Sequence, residues 1–115
     1  MLGLSVETRI LLFTGAVDMR KGFDGLTAMV MAAGEDVYSG HLFVFLSSRR
    51  NRAKILAFQR GKLLLLCVRL ERGKFSVRLT NDREHAELDA TQLTMLLDGI
   101  DFAQIKRPTP WKPAR

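Results

Sequence analysis

The sequence predicts an α+β fold: a mostly antiparallel sheet with a four-strand meander and two helices. Three observations predict it. Four apolar or branched segments between residues 41 and 79 are separated by short polar or glycine turns, the pattern of strands joined as neighbours. Two further segments, Met19–Ala33 and Asp89–Gly99, space their apolar residues at helical intervals. A chain of 115 residues, 47% hydrophobic and 26% charged, is the size and composition of one compact domain with a real core.

The elements follow in order. Thr8–Thr14 (TRILLFT) reads as a first strand, ended by Gly15. In VDMRKGFDGLTAMV, Asp18 is suited to N-cap a helix whose Met19, Phe23, Leu26 and Val30 share one face. Gly34 closes it. This reading puts Arg20 and Lys21 in the first turn, where the helix dipole disfavours cations, and Gly22 and Gly25 inside the helix. The two glycines share a face, and close packing on the sheet is the expected reason for them. EDVYSG is a loop. HLFVFL (His41–Leu46), AKILAF (Ala53–Phe58), KLLLLCVRL (Lys62–Leu70) and FSVRL (Phe75–Leu79) form the meander, with the nearly all-apolar third strand expected at its centre. HAEL (His85–Leu88) is a candidate edge strand. Asp89 with Gln92 three residues on makes a capping box for the second helix, which ends at Gly99. Both helices are expected against one face of the sheet. Residues 1–105 form the domain, and 106–115 a basic Pro-rich tail.

Charge is the most informative property. The net charge is +6. Residues 49–78 hold ten basic residues and one acid, Glu71, a net of +9. The rest holds eight bases and eleven acids, a net of −3. Lys and Arg on strand edges and turns also block aggregation, but that role does not require acids to be nearly absent over thirty positions. A chain this polarised is expected to present a basic face to a polyanion. SSRRNRAK clusters Arg49, Arg50, Arg52 and Lys54 around one hairpin tip, with serines and an asparagine as neutral donors to backbone phosphate. Arg60 and Lys62 mark the next turn, Arg72 and Lys74 the one after. Alternate turns of a meander leave at opposite ends, so Arg50 and Arg72 should lie at one end and Arg60 at the other. Neither helix has an evident base-reading face, so contacts to DNA backbone rather than bases are expected. Arg20 and Lys21 would complete an anion site at the helix start.

Other chemistries have little support. His41 and His85 are far apart with no Cys/His cluster, so no metal or cofactor is expected. Cys67, mid-strand, reads as a buried inert thiol. Asp18 and Asp24 are the carboxylates to consider for phosphoryl transfer, but a cap and an ion pair with Arg20 or Lys21 explain them better. An enzyme is therefore not expected. The longest apolar run, Leu63–Val68, is too short to cross a bilayer, and the N-terminus lacks a signal-peptide pattern. No membrane partner and a cytoplasmic location are expected. The sequence leaves the oligomeric state open, a homo-oligomer included.

Four blocks, GAVDMRKGFDGL, SGHLFVFLSSRRNRAKIL, RLERGKF and TQLTMLLDGIDF, in this order and spacing resemble the small TnpB-type accessory protein of bacterial insertion-sequence family sixty-six. The resemblance runs from Arg9 to Trp111. It implies a role in transposition beside a separate transposase that carries the catalytic carboxylates. DNA binding or contact with that transposase are the roles it implies, and it carries over no catalytic residue; in the residues themselves, the two-glycine helix face and the Pro-rich Trp111 tail are the surfaces offered for such docking. The chain departs from the pattern at Ala57-Phe58-Gln59-Arg60, where members have an aromatic pair followed by Asp. An aromatic and an acid are lost there and a cation is gained.

Overall fold

The computed structural model describes residues 8–77 and 85–99. Five strands form one sheet: β1 (Ile10–Ala16), β2 (Leu42–Leu46), β3 (Arg52–Gln59), β4 (Lys62–Arg69) and β5 (His85–Leu88). Two helices accompany them, α1 (Phe23–Ala32) and α2 (Ala90–Leu97), with a short 3-10 turn at Val37–Ser39. The sheet order is β4-β3-β2-β1-β5. β1 and β2 run parallel, and the other three pairings are antiparallel. The fold is thus α+β with a mostly antiparallel sheet, and the meander has three strands, β2-β3-β4, rather than four.

The missing fourth strand has a physical cause. Phe75 is fully buried, but its N–H goes to Arg50 O at 2.6 Å rather than to a ladder. The Arg50 guanidinium donates to Val77 O at 2.7 Å. Residues 75–77 therefore pack as a plug tied to the β2–β3 hairpin, and residues 78 and 79 of the expected strand lie outside the described residues, as does the tail 106–115. Among the described residues β4 is not central but an edge strand, with only its β3 side paired.

The strands alternate between two cores. Leu11, Phe13, Phe43, Phe45 and Leu56 face α1, where Leu26 and Val30 are buried. Ile10, Leu12, Leu42, Val44 and Ile55 face the other way, toward Phe75 and Leu93 and Leu96 of α2. The helices therefore cover opposite faces, not one. This follows from the parallel β1–β2 pair: a parallel connection needs a crossover over a face, and α1 supplies it, while α2 follows β5 onto the second face. All-apolar LFVFL, buried at every position, is what a strand with both faces covered requires.

Two helix boundaries test the capping rules. α2 has the expected box: Asp89 accepts from Gln92 N–H, and the Gln92 side chain accepts from Asp89 N–H. α1 starts later than expected, with Gly22 as N-cap. Asp18 instead caps a turn of its own, accepting Arg20 N–H at 2.9 Å, and Lys21 N–H closes on Asp18 O. Arg20 and Lys21 therefore precede the helix rather than oppose its dipole, and Met19 is outside it. The glycines are not packed on the sheet. A Cβ at Gly22 would meet nothing within 4 Å, and one at Gly25 would meet the Lys21 side chain. Gly34 does close the helix, at φ +81, in a paired Gly34→Met31 and Glu35→Val30 arrangement. β1 runs through Gly15 to Ala16, with two extra residues between its Leu12↔Val44 and Ala16↔Leu46 pairings.

Candidate nucleic-acid interface

β1 and β2 end side by side, joined by Val17 N–H to Leu46 O at 2.9 Å. Two loops leave from there, residues 17–22 toward α1 and the hairpin 47–51 toward β3. The carboxyl end of a parallel pair is where open sheets with crossover helices place their clefts. Ser47 organises the hairpin. Its N–H donates to Arg52 O, its Oγ accepts Arg52 N–H at 3.1 Å, and its hydroxyl reaches Asn51 Oδ1 at 3.2 Å. Arg50 takes the left-handed conformation, φ +57, that lets the hairpin close. Between the loops lies a cleft of about 520 Å³, lined among others by Asp18, Arg20, Ser48, Arg49, Asn51 and Arg52. A second depression of about 430 Å³ shares Met19 and Arg52 with it and continues over β3 and β4 past Lys54, Cys67 and Arg69.

The cations expected at a site separate into groups. Arg49 and Arg52 line the cleft, and among the described residues neither side chain has a hydrogen bond or ion pair. Arg20 also lines it but is held by Asp18, with Nη2 at 2.7 Å from Oδ2 and Nε at 3.1 Å from both oxygens. This pair replaces the expected contact of Arg20 or Lys21 with Asp24. Arg50 is turned to Val77 O and serves the fold. Lys54 Nζ donates to Met19 O at 2.9 Å and Lys21 O at 2.8 Å, pinning the 17–22 loop to β3. Lys21 stays exposed. Arg72 and Lys74 are exposed on the segment after β4, at the hairpin end, where Leu70 N–H meets Asn51 O. Arg60 and Lys62 are at the far end, in a two-residue turn with positive φ at both Arg60 and Gly61, so they do not belong to the cleft.

One arginine left out of the expected site lines the adjoining depression. Arg69 stands directly opposite Arg52 in the β3–β4 register. Like charges directly opposite are unfavourable, and the acid beside them, Glu71, is an exposed partner of Arg69 alone at 3.4 Å. Arg69 was legible: a two-residue turn pairing Gln59 with Lys62 fixes Arg52 against Arg69 by counting back. Reading β4 as a buried central strand hid it. Cys67 is likewise exposed, not buried.

Two measurable consequences follow. The Arg20 hydrogen bonds, from side chain and backbone, hold the Asp18 carboxyl at about 2, below its ordinary 3.8. A carboxyl lowered on folding stabilises above its unfolded pKa, and that stabilisation fades as pH falls through the folded value. Carboxyl NMR should therefore show Asp18 titrating near 2, and Arg20→Ala should raise it only part of the way toward its ordinary range, because the backbone N–H at position 20 still donates to Oδ1. Lys54→Ala should cost about 1–3 kcal/mol in urea unfolding, because it removes two charge-assisted hydrogen bonds. An exposed lysine serving only as a phosphate contact would change stability by less than about 0.5 kcal/mol.

His41 lies at the other end of the β1–β2 pair, and His85 pairs with Phe13 midway along β1. His41 Nδ1 accepts Arg9 N–H at 3.0 Å, and His85 Nε2 is 3.5 Å from Glu35. Among the described residues no group of three His, Cys, Asp or Glu side chains could hold a metal ion, and no helix is long and apolar enough to cross a membrane.

Comparison with known proteins agrees with the resemblance in the sequence. A family model described as IS66 Orf2 like protein matches residues 8–107. Two proteins of Sinorhizobium fredii (strain NBRC 101917 / NGR234) are similar over the full chain. Uncharacterized protein y4jC is 31% identical over 116 residues, covering 98% of that protein. Uncharacterized protein y4hO is 29% identical over 116 residues, again covering 98%. No solved structure matches.

Proposed function

Since the chain belongs to the family of IS66 Orf2-like proteins, accessory proteins of insertion-sequence transposition, we propose that it acts without catalysis by gripping DNA backbone at the cleft between the 17–22 loop and the 47–51 hairpin. The observation that carries this reading is the facing pair Arg52–Arg69, with Arg49 beside it in the cleft. Two guanidiniums opposed across a strand pair repel one another until an anion lies between them. Phosphate matches the guanidinium fork geometrically. Ser48 and Asn51 add the neutral donors that nucleic-acid backbones commonly receive.

Asp18, the first carboxylate considered for phosphoryl transfer, is committed to Arg20, which supports a binding rather than a cleaving role. The chemistry of transposition then belongs to the separate transposase, whose ends-bound complex this protein would assist. A duplex titrated with the protein across salt tests the reading. Binding should be tolerant of sequence and weaken steeply as salt rises. Absence of binding to duplex at low salt overturns it, and leaves docking on the transposase as the remaining role.

A further inference from the structure

We propose that the outer edge of β4 pairs with the same edge of a second copy, antiparallel about a two-fold axis at Leu65, joining two five-stranded sheets into one of ten. Among the described residues β4 is an eight-residue edge strand whose register with β3 runs without a bulge from Lys62 to Arg69. Native edge strands are usually guarded by a proline, a bulge or a charge within the strand. β4 has none of these: its cations are only at its ends, and Leu63–Val68 between them is apolar. Both faces of its flank are apolar and part-exposed, with Leu63 and Leu65 on the α1 side and Val68 on the α2 side. Leu66 is 38% exposed.

The hydrogen-bond parity narrows the partner and the register. Leu70 N–H points inward, to Asn51 O, so even-numbered residues of β4 spend their backbone groups on β3 and odd-numbered ones face out. An antiparallel copy of β4 offers the same odd-numbered set. Centring on Leu65 places Leu63 opposite Cys67, Leu64 opposite Leu66, Lys62 opposite Val68 and Arg69 opposite Gly61, so no cation meets another. Centring on Cys67 instead would put Lys62 opposite Arg72. The flank is about 27 Å long at ~3.4 Å per residue and buries roughly 500 Å² per copy. Over both copies that is about 1,000 Å², in the class of weak, transient interfaces.

The axis is perpendicular to the sheet, so both α1 faces and both clefts lie on one side. Arg69 and its counterpart would be about 27 Å apart, and the two Arg52 side chains about 31 Å, from strand rise and spacing. One turn of duplex is about 34 Å. This consequence rests on the DNA reading above, whereas the pairing does not.

Sedimentation of the full chain without DNA, at about 0.5 M salt and from about 1 to 200 µM, should show the mass rising from monomer to dimer. Cys67→Pro removes an outward N–H from an exposed position, sparing the β3 ladder, and should weaken the dimer at least ~10-fold. Leu66→Lys, which leaves the backbone unaltered, should do the same and covers the case in which the proline variant does not fold. Leu63→Cys should cross-link to Cys67 of the second copy on oxidation. A monomer at the highest concentration, or a chain that gains mass only with the transposase, overturns the pairing. Cross-linking of Cys67 to itself overturns the register. The dimer constant should change little with salt while DNA binding weakens steeply, so failure of one reading is separable from failure of the other.

Discussion

Phe75→Ala is expected to destabilise the domain by about 3–5 kcal/mol, the range for deleting a fully buried ring. Phe75 has no strand around it, yet it is completely buried in the α2-side core, with Ala53, Ile55, Ala57, Leu93 and Leu96 in the same cluster. Ala53 and Ala57 of this cluster, on β3, are too small to fill the space the ring would vacate. The backbone cannot collapse into it either, because Phe75 N–H is held by Arg50 O and Val77 O by the Arg50 guanidinium. A domain of this size has about 5–15 kcal/mol in total, so the variant should melt roughly 15 °C lower. Thermal unfolding by circular dichroism measures it. A shift of only a few degrees would mean that residues 75–77 are not anchored in the core. Arg50→Ala should move in the same direction by a smaller amount, which marks it as a structural arginine.

The strands that pair locally were legible because short turns leave little choice. QRG between two apolar runs fixes a hairpin, and LFVFL, AKILAF and KLLLLC all form strands. The second helix was legible to its cap, since Asp89 and Gln92 satisfy each other's backbone donors within one turn. What failed shares one cause: local chemistry that two structures can use equally. An aspartate accepting the N–H two residues on caps a turn as readily as a helix, so Asp18 gave the wrong start for α1. FSVRL alternates like a strand, but whether Phe75 joins a ladder depends on Arg50, 25 residues earlier. An all-apolar strand reports that both faces lack polar groups, not that both flanks are paired, so β4 looked central. The parallel β1–β2 pair could have been inferred from strand, helix, strand, because a helix between neighbouring strands is the usual crossover.

The cleft was half-legible for a related reason. Sequence shows which cations are near in the chain, and it found Arg49 and Arg52. It does not show which cations the fold has already engaged. Lys54, Arg50 and Arg20 looked equivalent to them but are occupied by loop carbonyls, by Val77 O and by Asp18. Counting positive residues therefore overstates the proposed interface, which the donors without an internal partner among the described residues define better.

That distinction gives the largest expected functional effect. Each phosphate contact on duplex DNA contributes about 0.9 to the slope of log affinity against log salt. Removing Arg49, Arg52 and Arg69 together should lower that slope by about 2.7. If the two binding curves meet near 1 M salt, where screening is nearly complete, the variant binds about 500-fold more weakly at 0.1 M. Stability should change little, since Arg49 and Arg52 have no side-chain partner among the described residues and Arg69 has only the exposed Glu71. Relieving the Arg52–Arg69 opposition could even raise it, by up to about 1 kcal/mol. The matched control is Arg60→Asn with Lys62→Ala, which removes two cations at the opposite end. Asparagine suits the positive φ of Arg60 better than arginine does, so this pair should keep or gain stability and leave the salt slope nearly unchanged. Equal losses from both sets would mean that DNA senses only net charge, and the cleft would have no special role.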